Sequence, residues 1–260
     1  MHSPSTGPAV RCIGTSSAQP QASETASFGY LRGAVQRPWR SVAPLICRTD
    51  LVTLANSLGL VNFAAEVGVY RGAFPRQNLA RWNGAHYWMI DAWDQRQNDT
   101  KKAGELSDNN GPESEQVARY RTAKKATQPW AAKRTMLRMY SIPAAARFRD
   151  SHFDWIYIDA LHTYDAVLQD LTAWWSKLKI GGMMSGDDYA DKGDPGYGPY
   201  DAPTIFSWGV RSAVNEFARR NAEQVHTSAG NNFFHSSGPQ GPRVRSGCHE
   251  FQAWYLFKTH

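Results

Sequence analysis

FDWIYIDALHTYDAVLQDLTAWWSKLKIGGMMSGDDY, residues 153–189, is the stretch whose reading decides the fold. It opens on an apolar run, WIYID (155–159), and closes on another, GMMSGDD (182–188). Between them Val167, Leu168, Leu171, Trp174, Trp175 and Leu178 fall on one stripe at helical spacing. Strand, amphipathic helix, strand is the pattern of parallel pairing, and Gly181 and Gly182 are expected to stop the helix. Both runs end in acid, Asp159 in the first and, 28 positions later, Asp187 beside Asp188. Parallel strands bring their C-termini to one edge, where ligands bind. Three carboxylates gathered there make a seat for a hard divalent cation, which takes oxygen ligands. The plainer alternative is that Asp187 and Asp188 cap the next segment and Asp159 touches a bound cofactor.

The same rhythm extends outward. Leu51, Leu54, Ala55 and Leu58 recur at helical spacing, with Thr49 or Asp50 to cap the start and Gly59 to close the end. VNFAAEVGVY (61–70), with Gly72 and Pro75 after it, reads as strand, tight turn and helix. HYWMID (86–91) is the second expected strand and TMLRMYS (135–141) the third; the runs at 155–159 and 182–188 are the fourth and fifth. Val210, Ala213, Val214, Phe217 and Ala218 stripe a later helix. FQAWYLFK (251–258) has strand composition, with an antiparallel partner starting at Val225–Thr227. The expected fold is α/β, a Rossmann-like, seven-stranded, mostly parallel sheet with helices on both faces and an antiparallel C-terminal strand. Residues 95–131 and 189–207 resist this pattern and leave C-terminal strand ends, as lids or as plain surface excursions.

The 260 residues suffice for a real core, read as one domain over 49–260. Residues 1–48 read as a disordered tail or a transit-peptide-like segment, since the first forty are rich in Ser, Ala, Pro and Arg and nearly free of acids. The location expected is cytoplasmic, or an organelle if that segment acts as an address. The formal charge is +6, but residues 1–49 hold five arginines against one acid, Glu24, so the remainder carries only +2. Such a body has no phosphate-tracking field, and nucleic acid is not expected as a partner. No apolar run approaches the ~18 residues that span a bilayer, so neither is a membrane. A small-molecule substrate is expected, with homo-oligomerisation open. Cys12, Cys47 and Cys248 lie far apart and suggest neither structural zinc nor a disulfide framework.

With EVGVYRG (66–72), IDAWD (90–94) and the long stretch 153–189 in view, the chain from about Asp50 to Lys258 resembles the class I S-adenosylmethionine-dependent methyltransferases. Within them it is most similar to the group holding macrocin-type O-methyltransferases and cephalosporin-hydroxylase-like proteins. The resemblance implies S-adenosylmethionine as cofactor, with Glu66 near its cationic amino-acid end, Gly68 and Gly72 giving close backbone approach, Asp91 at the ribose and Ser141 at the adenine. Asp91 lies 23 residues beyond Gly68, where dinucleotide enzymes also place an acid. However, the positions two and five after Gly68 are Tyr70 and Ala73, so the pyrophosphate fingerprint is missing.

Most hydroxyl acceptors are protonated at neutral pH, so methyl transfer needs a way to unmask the oxygen. The resemblance implies divalent-metal assistance, Mg2+ being the expected ion, with Asp159, Asp187 and Asp188 as ligands. His162, three residues after Asp159, is the candidate general base, because its proton equilibrium lies near neutrality; packing is the alternative role. Many relatives carry a second acid two residues after the first, where this chain has Leu161. Tyr197, Tyr200, Phe206 and Trp208 are expected to wall the acceptor site, with Trp93 and Trp130 contributing. The expected reaction is O-methylation of a small hydroxylated molecule. The alternatives are a metal-dependent hydroxylase or oxygenase on the same scaffold, which would want two converging histidines, and a non-catalytic ligand-binding protein.

Overall fold

The computed structural model describes residues 45–94, 111–192, 194, 208–229 and 252–260, all within one compact unit, Pro38–His260. The transit-like segment 1–40 and the expected wall residues Tyr197, Tyr200 and Phe206 lie outside the described residues.

A 3-10 turn, Arg48–Asp50, leads into α1 (Leu51–Ser57). Then come β1 (Phe63–Val67), α2 (Ala73–Arg81), β2 (His86–Asp91), α3 (Glu113–Ala126), β3 (Arg134–Arg138) and α4 (Ser141–Ala145). They are followed by β4 (Phe153–Ile158), α5 (Tyr164–Trp175), β5 (Leu178–Gly186), α6 (Val210–Arg220), β6 (His226–Thr227) and β7 (Trp254–Phe257). The strands form one seven-stranded sheet in the order β3-β2-β1-β4-β5-β7-β6. The pairs among β1 to β5 are parallel, whereas β5–β7 and β6–β7 are antiparallel. The chain runs outward from β1 through β2 to β3, then returns to place β4 on the other side of β1. The reversal makes the β1/β4 border the point where a crevice opens at the strands' C-terminal ends.

Side chains alternate across a strand, and β4 shows why both faces are covered. Trp155 and Tyr157 join a cluster with Leu51 and Leu54 of α1 and Phe74 and Leu79 of α2. Ile156 and Ile158 join the other cluster, with Leu171 and Trp174 of α5 and Val214 and Phe217 of α6. Among the described residues no helix is long and apolar enough to cross a membrane.

Three local expectations are corrected. Helix α5 ends at Trp175, and Gly181 and Gly182 lie inside β5 instead of stopping the helix. The pairing jumps from Phe153 opposite Leu178 to Trp155 opposite Met183, and Gly181, at φ +81°, takes the extra backbone of this bulge. The third strand stops at Arg138, so Ser141 opens α4 instead of ending a strand. The polar stretch 95–131 contains a helix, α3, with Glu113 and Glu115 in its first turn and Lys124 and Lys125 in its last, complementing the helix dipole. Its few buried positions are mostly polar, so apolar periodicity did not reveal it.

The packed unit also starts earlier than residue 49. Leu45 and Cys47 are buried, and Cys47 is disulfide-bonded. The wide cysteine spacing gave no sign of this bond.

A candidate active site at the carboxyl edge of the sheet

A cavity of about 260 Å³ opens at the β1/β4 border, and Gly68, Asp91, Ser141, Asp159 and Asp170 are among its lining residues. Gly68 follows β1 at φ +91°, and a Cβ there would lie 1.8 Å from the Asp159 carbonyl oxygen. Only glycine lets the ends of β1 and β4 meet this closely. Asp91 ends β2 and accepts the amides of Val69 (3.0 Å), Tyr70 (2.8 Å) and Trp93 (2.8 Å), which fixes the turn after β1. Burial raises its pKa, and these amides pull the other way. Ser141 Oγ accepts the Trp174 indole N–H at 2.9 Å and donates to Asp170, whose carboxyl burial pushes up to about 7.

Gly68, Asp91 and Ser141, three of the five expected cofactor contacts, therefore share one cavity. Glu66 and Gly72 are not among its lining residues. Glu66 points to the other face of β1, where Tyr87 Oη donates to it at 2.8 Å and Asn78 donates to Tyr87 at 3.1 Å. Full burial raises its pKa well above the ordinary carboxyl value, which favours the neutral acid. Gly72, at φ +78°, serves packing, since a Cβ would stand 2.8 Å from Ala123 Cα of α3.

The expected metal trio divides. Asp188 has φ +54°, a left-handed conformation costly for a non-glycine residue, so its carboxylate departs from that of Asp187. Asp188 Oδ2 lies 3.3 Å from His162 Nε2, and Asp159 Oδ1 lies 3.3 Å from the same nitrogen. One ligand atom from each of Asp159, His162 and Asp188 lies within 4.8 Å of the others. Asp187 instead pairs with Arg48, which also reaches Asp159 Oδ2 at 3.4 Å and lies over the Phe74 ring at 5.0 Å. Burial works to lower the Arg48 pKa, but Tyr157, Asp187 and Asp159 outweigh it and hold the guanidinium charged. Burial raises the Asp188 pKa well above the ordinary value; Asp187 adds to this and His162 opposes it. The Trp208 ring stands 4.6 Å from His162, and Gly209 N–H donates to the His162 carbonyl at 2.9 Å, tying this wall to the site. Trp93 is fully buried and Trp130 packs beside the core, so the structure assigns both to packing.

Two site residues went unread in the sequence. Arg48 was counted with the basic tail, and nothing local marks it. Asp170 did leave a signal, being an acid between Val167 and Leu171 on the buried stripe of α5.

Residues 65–189 match the family model described as a methyltransferase domain. No curated protein matches the chain in sequence. Among solved structures, a Staphylococcus aureus protein assigned as a caffeoyl-CoA O-methyltransferase is similar at TM-score 0.52 and 14% identity, over 82% of this chain and 85% of its own. A Corynebacterium glutamicum protein is similar at TM-score 0.51 and 13% identity, over 86% of this chain and 85% of its own. A cofactor-bound protein from MTB is similar at TM-score 0.52 and 11% identity, over 82% and 79%. At these identities the likeness concerns the fold, a Rossmann-like sheet with antiparallel strands at its C-terminal end. Residues 65–189, which run from within β1 to just beyond β5 and include the three acids, are therefore similar to a methyltransferase domain.

Proposed function

We propose that this domain transfers a methyl group from S-adenosylmethionine to a hydroxyl of a small molecule, at the junction between the cavity and the Asp159–His162–Asp188 group. The observation that carries this reading is the double membership of Asp159, which lines the cavity and belongs to the cluster. The family match and the O-methyltransferase assignment of the Staphylococcus aureus relative support it.

Gly68 offers bare backbone to the donor, Asp91 offers carboxylate oxygens to hydroxyl groups, and Ser141 stands at the far end. The donor supplies an electrophilic methyl on its sulfonium. Transfer needs the acceptor oxygen aligned with that methyl and freed of its proton. Asp159, His162 and Asp188 fit a divalent cation, with two carboxylates suited to Mg2+ or Mn2+ and an imidazole that favours the transition metals. Such a cation lowers the pKa of a hydroxyl placed on it. Arg48 holds Asp187 apart from this group, and Trp208 gives the acceptor an apolar wall.

One observation favours a second reading of the same reaction. His162 Nε2 sits 3.3 Å from a carboxylate oxygen on either side, an arrangement that stabilises an imidazolium. There His162 takes the acceptor's proton without a metal. One nitrogen cannot both ligate and accept, so the readings are separable. Calorimetry with S-adenosylmethionine and turnover on catechols, each with Mg2+, Mn2+ or a chelator, decides between them. The metal reading expects chelation or Asp188→Ala to lower turnover at least ~10²-fold, with donor affinity kept within a few-fold. Full activity in chelator, with a ~10²-fold loss in His162→Ala, selects the base reading. Absence of S-adenosylmethionine binding overturns both.

A further inference from the structure

Charge is spread unevenly over the two edges of the sheet. From Gln116 to Arg149 the chain carries nine Lys and Arg and no Asp or Glu. Toward the carboxyl edge these cations are answered by acids, Arg119 by Glu115 at 2.6 Å and Arg138 by Glu113 at 2.6 Å. At the amino edge they are not. Arg134 opens β3 and donates to the carbonyls of Lys124 and Thr127, at 3.1 and 3.2 Å, which brings the end of α3 to that edge. The amides of Ser151 and His152 donate to the carbonyls of Ser176 and Lys177, so the approach to β4, with Arg147 and Arg149, lies beside the approach to β5. Lys124, Lys125, Arg147 and Arg149 are exposed, and among the described residues none of the four has a carboxylate partner.

The same edge carries the most exposed large apolar side chain among the described residues, Ile180 at 68%. It lies in the bulge of β5, where residues 179–182 stand opposite Asp154 alone. Lys179 precedes it, with its ammonium 5.8 Å over the Phe63 ring, and a Cβ on Gly181 would meet nothing within 4 Å, so the bulge projects outward. An apolar side chain held out among cations suits a layer of anionic headgroups over an apolar interior. A nucleic acid offers phosphates but nothing for Ile180, and the Phe63, Trp88 and His152 rings at this edge pack on one another instead of standing open to bases.

We infer that the amino edge of the sheet docks on an anionic lipid surface, with Ile180 entering the headgroup layer and the cations at the end of α3 and before β4 lying against it. Such a contact is peripheral and needs no spanning run, whose lack was the ground for expecting no membrane. It leaves the cavity and the Asp159–His162–Asp188 group, at the opposite ends of the strands, open to solution. It stands apart from the methyl-transfer reading.

The test is flotation of the full chain with vesicles of phosphatidylcholine alone or mixed with phosphatidylglycerol, at low and high salt. Binding is expected to the mixed vesicles only, weakening at least ~10-fold at high salt. Lys124→Glu/Lys125→Glu and, separately, Arg147→Glu/Arg149→Glu should each lower the partition coefficient at least ~10-fold, and Ile180→Ser at least ~3-fold. No flotation with the mixed vesicles, or equal flotation with phosphatidylcholine alone, overturns the inference without any variant. Unchanged flotation of both charge-reversal variants moves the contact to another part of the chain, such as the arginines of residues 1–49, and also overturns it. So does Ile180→Ser floating like the wild type; if an RNA duplex then binds and both charge reversals weaken it, the face is a nucleic-acid surface instead.

Discussion

Asp154 and Asp159 sit at the two ends of β4, five residues apart on one strand, and their surroundings differ in kind. Asp154, at the amino end, accepts the amides of Asn62 (2.6 Å) and Phe63 (2.9 Å) and pairs with Lys179 at 2.5 Å. All its partners are fixed parts of neighbouring strands or their approaches, so it clamps β1 and β5 to β4. Asp159, at the carboxyl end, faces a cavity and shares its oxygens between Arg48 and His162, at 3.4 and 3.3 Å. Burial alone therefore does not mark a working acid. What separates them is whether the carboxylate is held among fixed parts of the sheet or lines a space that something else can enter.

The ends differ equally in how they hold histidine. His162 lies between two carboxylates, but His152, near the start of β4, is stacked between Phe63 (4.7 Å) and Phe148 (5.6 Å). Among the described residues neither His152 ring nitrogen has a hydrogen-bond partner, and both are out of contact with water. One imidazole is set between two carboxylates; the other is packed as an aromatic plate.

The sharpest way to break this contrast is Arg48→Met, which withdraws a guanidinium from the nearly inaccessible Asp187. Removing one partner of a buried ion pair costs about 3–5 kcal/mol, so urea denaturation should show a loss of that size. A loss under ~1 kcal/mol would mean that Arg48 is no counter-charge at all. Asp154→Ala comes next. It strands two backbone amides and should cost roughly 1–3 kcal/mol while turnover per folded molecule stays at the wild-type level. A fall in turnover would erase the division between the two ends.

The smallest effect belongs to His152. Its pKa is lowered from 6.5, first by burial and then by Arg149 and Lys179, with Asp154 opposing. The unfolded chain therefore binds the proton more readily, so this residue's contribution is complete above the unfolded value and is lost as pH falls through the folded one. Melting temperatures read from pH 7.5 to 5 should decline more steeply for the wild type than for His152→Phe, which keeps the stack and removes the titration. Parallel profiles would place the acid sensitivity elsewhere.

Much of this architecture is legible locally. The runs at 155–159 and 182–188 with the striped helix between them specify the βαβ unit, because side-chain period and turn residues are properties of near neighbours. The placing of Gly68, Asp91 and Asp159 at strand ends follows from the same reading. The local signals failed where two structures compete for the same residues. Leu178 fits the helical stripe, but pairing with Phe153 claims it for β5, and Gly181 then becomes a bulge inside the strand. Glu66 was expected at a cofactor by its motif, yet strand alternation turns it to the opposite face, onto Tyr87.

The sequence by itself determined the kind of fold, the sheet edge at which the strands end, and the stock of acids available there. Only the tertiary structure decided how those acids divide: Asp159 and Asp188 toward His162, Asp187 toward a guanidinium 139 positions away, and Asp170 toward the cavity. Secondary structure is dictated by residues a few steps apart. The partner of a buried charge is chosen by whichever opposite charge the folded chain delivers within a few ångströms, and that depends on the course of the whole backbone.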